Sequence, residues 1–165
     1  MEDFLKKMEE KVEHFSKLVE KMKAEIAEVD EKLRAIKDEL SKIEEEIIEV
    51  ARRKKEHEHR IHEILGKLKR IQKATLQAQT QREIEMLERD RQRLMEELRK
   101  HDEELAKLKE RYEELTNKEM KLLDEEMELE ERKKKLLHEK EIYLSRLEHI
   151  LSTLQKKIDQ FRHNQ

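Results

Sequence analysis

The chain has 165 residues, of which 49% are charged, 35% hydrophobic and 3% aromatic, and its formal net charge is −3. Because an average soluble domain is close to half apolar, this composition excludes an ordinary globular core. The sequence contains no Cys, which excludes disulfides, thiolate metal sites and cysteine nucleophiles.

The N-terminal segment, MEDFLKKMEE, is charged throughout. No stretch of the sequence reaches the roughly 18 consecutive apolar residues of a membrane span. We therefore expect neither a signal peptide nor a membrane span. The expected location is intracellular, cytoplasmic by default, with the nucleus as the alternative.

The first predicted element is a long helix over residues 1–73. Apolar residues recur every three and four positions from Leu5, at heptad position a, and Met8, at position d, to Ile71. This spacing is the seam of a coiled coil. Only Lys54 and His57 interrupt it with polar side chains.

Residues 74–80 are predicted to form a turn or a break in the heptad phase. The seam resumes at Ile84, sixteen residues after Leu68 rather than fourteen. At about 100° per residue, a continuous helix would carry its two seams on nearly opposite faces. Thr80 and Glu83 match a capping box, which marks the start of a second helix.

The second predicted helix covers residues 81–162, followed by a tail at 163–165. Its d positions are apolar except for His101, whereas its a positions are charged from Glu119 to Lys140. Such a seam packs best against a partner seam that is apolar throughout.

The sequence therefore predicts an all-α protein, a long antiparallel coiled-coil helical hairpin. The alternative is a continuous long helix in an antiparallel homodimer, which allows the same pairing of a with d positions. In the predicted register, Ile71 lies opposite Ile84 and Leu5 opposite Ile150. The unfavourable layer places Lys54 opposite His101, so we expect these residues and His57 to make stability depend on pH.

A second apolar stripe follows the second seam at heptad position e. Two explanations are open, an additional surface for docking helices or a local shift of the seam itself. Both predict a structural, scaffolding coiled-coil rod that binds other protein helices and self-associates, with a homodimer expected. The predicted interface residues are Leu123, Leu137, Leu144, Leu151 and Ile158.

A basic region precedes the turn. Residues 50–73 contain nine basic and three acidic side chains. This excess supports an alternative function, binding of nucleic acid or another anionic surface. The residues expected to carry it are Arg52, Arg53, Lys69, Arg70 and Lys73.

Catalysis is not expected. The cluster of His57, His59 and His62 lacks a complete metal-binding motif, since a diiron site needs a second Glu-x-x-His on a facing helix. With one Gly, the chain has no glycine-rich phosphate loop. We therefore predict no catalytic residues, no metal and no cofactor.

Overall fold

The computed structural model describes residues 2–164, which form two long helices. Helix α1 covers Glu2–Gln77 and helix α2 covers Gln81–His163. The two helices pack against each other in antiparallel orientation, and the described part of the chain contains no strand. The predicted all-α helical hairpin is confirmed, in preference to one continuous helix.

The helices are favoured locally by a sequence without Pro that is rich in Glu, Lys and Leu. Side chains three and four residues apart form ion pairs along the exposed faces, as Arg99 does with Glu96 and Glu103. Such exposed pairs each contribute little to stability. Most of the stability must therefore come from the apolar seam between the helices.

The turn between the helices is shorter than the sequence indicates, because α1 extends further than predicted. Helix α1 continues to Gln77, past the expected boundary at residue 73, and Thr75 Oγ1 donates to the carbonyl oxygen of Ile71 at 2.8 Å. The backbone N–H of Glu83 donates to Thr80 Oγ1 at 3.2 Å. The Glu83 carboxylate in turn accepts the backbone N–H of Gln79 at 3.2 Å. The predicted cap at Thr80 is thus confirmed. The Glu83 carboxylate, however, accepts the N–H of Gln79 rather than that of Thr80, which a capping box would use.

The chain separates into two compact units, each built from both helices. The terminal unit contains the part up to Glu39 and the part from Leu122 onward. Its core includes a cluster of four buried side chains with three partly buried apolar residues packed against it. The buried four are Met22, Val29, Leu33 and Leu136, and the other three are Ile26, Leu129 and Tyr143.

The turn unit, Leu40–Lys121, contains the connection between the helices. Leu115 is its most enclosed side chain, at 2% exposure. Arg111 joins the helices through two hydrogen bonds to the Glu46 carboxylate, at 2.9 and 3.1 Å. These bonds raise the pKa of Arg111 and favour the antiparallel pairing.

The predicted register is wrong by about one heptad in both units. In the turn unit, Lys54 Nζ lies 4.5 Å from the centre of the Tyr112 ring instead of opposite His101. In the terminal unit, Phe15 contacts Tyr143 and Arg146 rather than Lys140. Registers one heptad apart place the same a and d positions opposite each other, so the heptad pattern does not choose between them. The observed register removes the unfavourable layer of Lys54 and His101.

Candidate helix-binding surfaces

The predicted interface residues form an exposed apolar line along α2, called here the leucine stripe: Leu123, Leu137, Leu144, Leu151 and Ile158. Leu137 is 40% exposed and Leu151 is 49% exposed. Leu123 and Ile158 are also exposed, whereas Leu144 is half-buried. Four of the five side chains therefore keep a substantial apolar surface in contact with water.

The stripe stays exposed because α1 does not offer apolar partners for it. The e positions of α1 in the terminal unit are all polar: Glu2, Glu9, Ser16, Lys23, Asp30 and Lys37. The seam has not moved to the stripe, since Leu136 and Ile150 at position d are buried. The stripe is thus an additional surface beside an intact seam.

A second surface of the terminal unit, the basic groove, lies between the helices near the chain termini. It has a volume of about 650 Å³ and is lined by Lys11, His14, Phe15, Ser145, Arg146, His149 and Ile150. Ile150 is buried and Phe15 is half-buried, so they form an apolar floor. The Arg146 guanidinium lies 5.9 Å from the centre of the Phe15 ring, within the range of a cation–π contact.

The charges of the basic groove are available to a ligand. None of its lining side chains is a carboxylate, and Lys11, His14, Arg146 and His149 are all exposed. Within residues 2–164, neither Lys11 nor Arg146 forms a salt bridge. Lys7 and Lys156, one and two helical turns from the lining residues, are exposed as well. The groove therefore combines an apolar floor with uncompensated positive charge.

The residues predicted to form a basic tip do not gather into one site. Arg52 is held by Glu49, at 2.6 and 3.1 Å, and by Glu56. The hydrogen bond from Arg52 lowers the pKa of Glu49. Arg53 and Lys73 are exposed, while Lys69 and Arg70 line two different grooves of the turn unit.

An apolar groove beside the turn has a volume of about 510 Å³. Leu65, Leu68, Ile71, Leu76 and Met95 line it together with Lys69, Gln72, Thr75, Glu88 and Arg91. Leu76 is the most exposed large apolar side chain of the described residues, at 83%. Its exposure follows from its place in the last helical turn of α1, beyond the paired seam.

The histidines form one direct contact between the helices. His57 Nδ1 and His101 Nδ1 lie 2.8 Å apart, so one half-buried imidazole donates a hydrogen bond to the other. His59 instead contacts Glu63 on its own helix at 3.0 Å, and His62 is exposed. No group of three or more His, Asp or Glu side chains in residues 2–164 is arranged to hold a metal ion.

In the described part of the chain, neither helix has the apolar length that crossing a membrane requires.

Sequence reasoning found the leucine stripe but missed the basic groove, because Phe15 and Ile150 look like ordinary seam residues. A signal was present in the basic side chains at the c and g positions near both ends of the sequence. Comparison of the chain with protein-family models, curated proteins and solved structures gives no match. The function must therefore be argued from the surfaces of the hairpin.

Proposed function

We infer that the chain is a coiled-coil scaffold that self-associates and binds other protein helices along the leucine stripe. The observation that carries this inference is the exposure of four large apolar side chains at heptad spacing on one helix. Exposed apolar lines of this kind typically mark a docking site for an amphipathic helix. A seven-residue spacing fits a partner helix in a coiled coil better than a small molecule.

Burial of the apolar stripe favours association. Burying an apolar side chain contributes about 25 cal/mol for each Å² removed from water. Part of this gain is offset by the entropy that the partners lose on association. A stripe of four or five leucine-sized side chains therefore supports reversible association rather than an irreversible complex.

The test replaces three stripe residues, Leu137→Glu, Leu151→Glu and Ile158→Glu, in the full chain. Light scattering coupled to gel filtration should give a mass above that of the monomer for the unmodified protein and a lower mass for the variant at the same concentration. Ile48→Glu is the matched control, because Ile48 is 70% exposed but lies outside the stripe. It should associate like the unmodified protein.

Circular dichroism should give the same helix content for all three proteins, since the replaced side chains are exposed. A triple variant that associates as strongly as the control would sink the proposal. So would an unmodified chain that stays monomeric at every concentration tested.

The alternative function, binding of nucleic acid or an anionic surface, has narrower support. Residues 64–81 carry Lys67, Lys69, Arg70 and Lys73 and no acidic side chain. Such binding would weaken steeply with salt, because phosphate contacts release counterions. Charge reversal at Arg53, Lys69 and Arg70 should abolish it, and equal retention of DNA by this variant and the unmodified chain would contradict it.

A further inference from the structure

The basic groove has a complementary surface on the same chain. Residues 122–131 of α2 contain six acidic side chains and no basic one. Within this stretch, Leu123 is 42% exposed and Met127 is 71% exposed. Asp124 and Glu131 lie three residues before and four residues after Met127, on neighbouring positions of the same helix face. These four residues are called here the acidic face.

The two surfaces match in chemistry. The acidic face presents two exposed apolar side chains one helical turn apart, and the basic groove has a floor of Phe15 and Ile150. Methionine adapts its shape readily, which suits an open groove. Two carboxylates flank the apolar pair, and Lys11 and Arg146 flank the floor. Within the described residues, Asp124 and Glu131 form no salt bridge.

A chain cannot fill its own groove with its own acidic face. Both surfaces include residues of the continuous helix α2, with about 20 residues between them. At 1.5 Å per residue, this helix holds them about 30 Å apart. The occupant must therefore come from another molecule.

We propose that the basic groove binds the acidic face of a second copy of this chain. A two-fold dimer can make this contact twice, with the groove of each copy holding the acidic face of the other. A dimer with a single contact instead leaves each copy one unused surface, through which further copies can add. The acidic face shares Leu123 with the leucine stripe, but Leu137, Leu151 and Ile158, the stripe residues replaced above, belong to neither surface.

The test reverses charge on each surface in separate full-length variants. The groove variant carries Lys11→Glu and Arg146→Glu, and the face variant carries Asp124→Lys and Glu131→Lys. Sedimentation velocity is measured over a range of concentrations at about 50 mM and about 300 mM salt, because exposed charges more than a Debye length apart are largely screened at higher ionic strength. The unmodified chain should associate more weakly at high salt.

Each variant alone should associate at least about tenfold more weakly than the unmodified chain, since like charges then meet across the contact. An equimolar mixture should regain association, because each variant supplies the charges that the other one needs. Two misfolded variants would not regain association on mixing. Circular dichroism of each variant should in addition give the helix content of the unmodified chain.

Three results would overturn the proposal: a chain that stays monomeric at low salt, variants that associate like the unmodified protein, or a mixture that does not recover. The stripe variant Leu137→Glu, Leu151→Glu, Ile158→Glu separates this test from that of the proposed function. If the proposed stripe association is wrong and the groove contact is correct, the stripe variant and the unmodified chain should show the same salt-sensitive association.

Discussion

The two helices contribute unequally to the same seam. Helix α1 buries apolar side chains at both seam positions, such as Leu33 at a and Ile43 at d. The buried apolar residues of α2 are all at d: Leu94, Leu108, Leu115, Leu122, Leu136 and Ile150. At the a positions of α2, Glu119, Glu126, Lys133 and Lys140 are half-buried instead.

One helix can thus supply most of the buried apolar side chains, while the other supplies exposed apolar and charged surfaces. Long charged side chains lay their methylene groups against the apolar seam and extend their charges into water. Helix α2 can thus carry charged seam positions and also the exposed leucine stripe and the acidic face.

Leucine-to-alanine substitutions should have the largest effect and test whether the two helices contribute unequally to the seam. Leu33→Ala on α1 and Leu115→Ala on α2 each remove a buried side chain, with 4% and 2% exposure. Each should lower the free energy of unfolding by about 2–5 kcal/mol. Leu105→Ala, at a half-buried a position of α2, should cost only about 1–2 kcal/mol.

Urea unfolding followed by circular dichroism measures all three losses. Leu137→Ala on the exposed stripe is the control and should have little effect at a concentration where the chain is monomeric. A loss at Leu105 as large as that at Leu115 would show that the a and d positions of α2 are equally enclosed, and the comparison would break.

A smaller effect should come from His57 of α1 and His101 of α2, two polar residues at d positions that contact each other. The hydrogen bond between His57 and His101 needs at least one neutral ring, because two protonated imidazoles have no acceptor at Nδ1. Histidine ordinarily titrates near neutral pH. Loss of roughly 1 kcal/mol on acidification should lower the melting temperature between pH 8 and pH 5.5 by about 2–4 °C.

His101→Leu should reduce this pH dependence, whereas His59→Leu should keep it, since His59 contacts only its own helix. Melting curves recorded by circular dichroism at both pH values give the comparison. Equal melting temperatures of the unmodified chain at pH 5.5 and 8 would remove the hypothesis.

The fold was predictable because the heptad seams, the phase jump between Leu68 and Ile84 and the cap at Thr80 are local patterns. The register was not, since pairings one heptad apart have the same pattern and differ only in contacts such as Lys54 with Tyr112. The leucine stripe followed from spacing along one helix. The basic groove did not, because it needs residues of both helices in the correct register.

The smallest expected effect concerns Lys133, a charged a position of α2. Its ammonium donates a hydrogen bond to Asp30 at 2.7 Å, and this bond raises the pKa of Lys133. A raised pKa in the folded state means that the pair stabilises the fold fully below the ordinary lysine pKa, about 10.4, and that this contribution is lost as pH rises through the folded value. The melting temperature of Lys133→Met, relative to that of the unmodified chain, should therefore be constant from about pH 7 to 9 and rise above about pH 10.

Lys134→Met is the control for general charge effects, because Lys134 is exposed and forms no salt bridge within residues 2–164. If both variants respond equally to pH, the charged seam position contributes no more than an ordinary surface lysine.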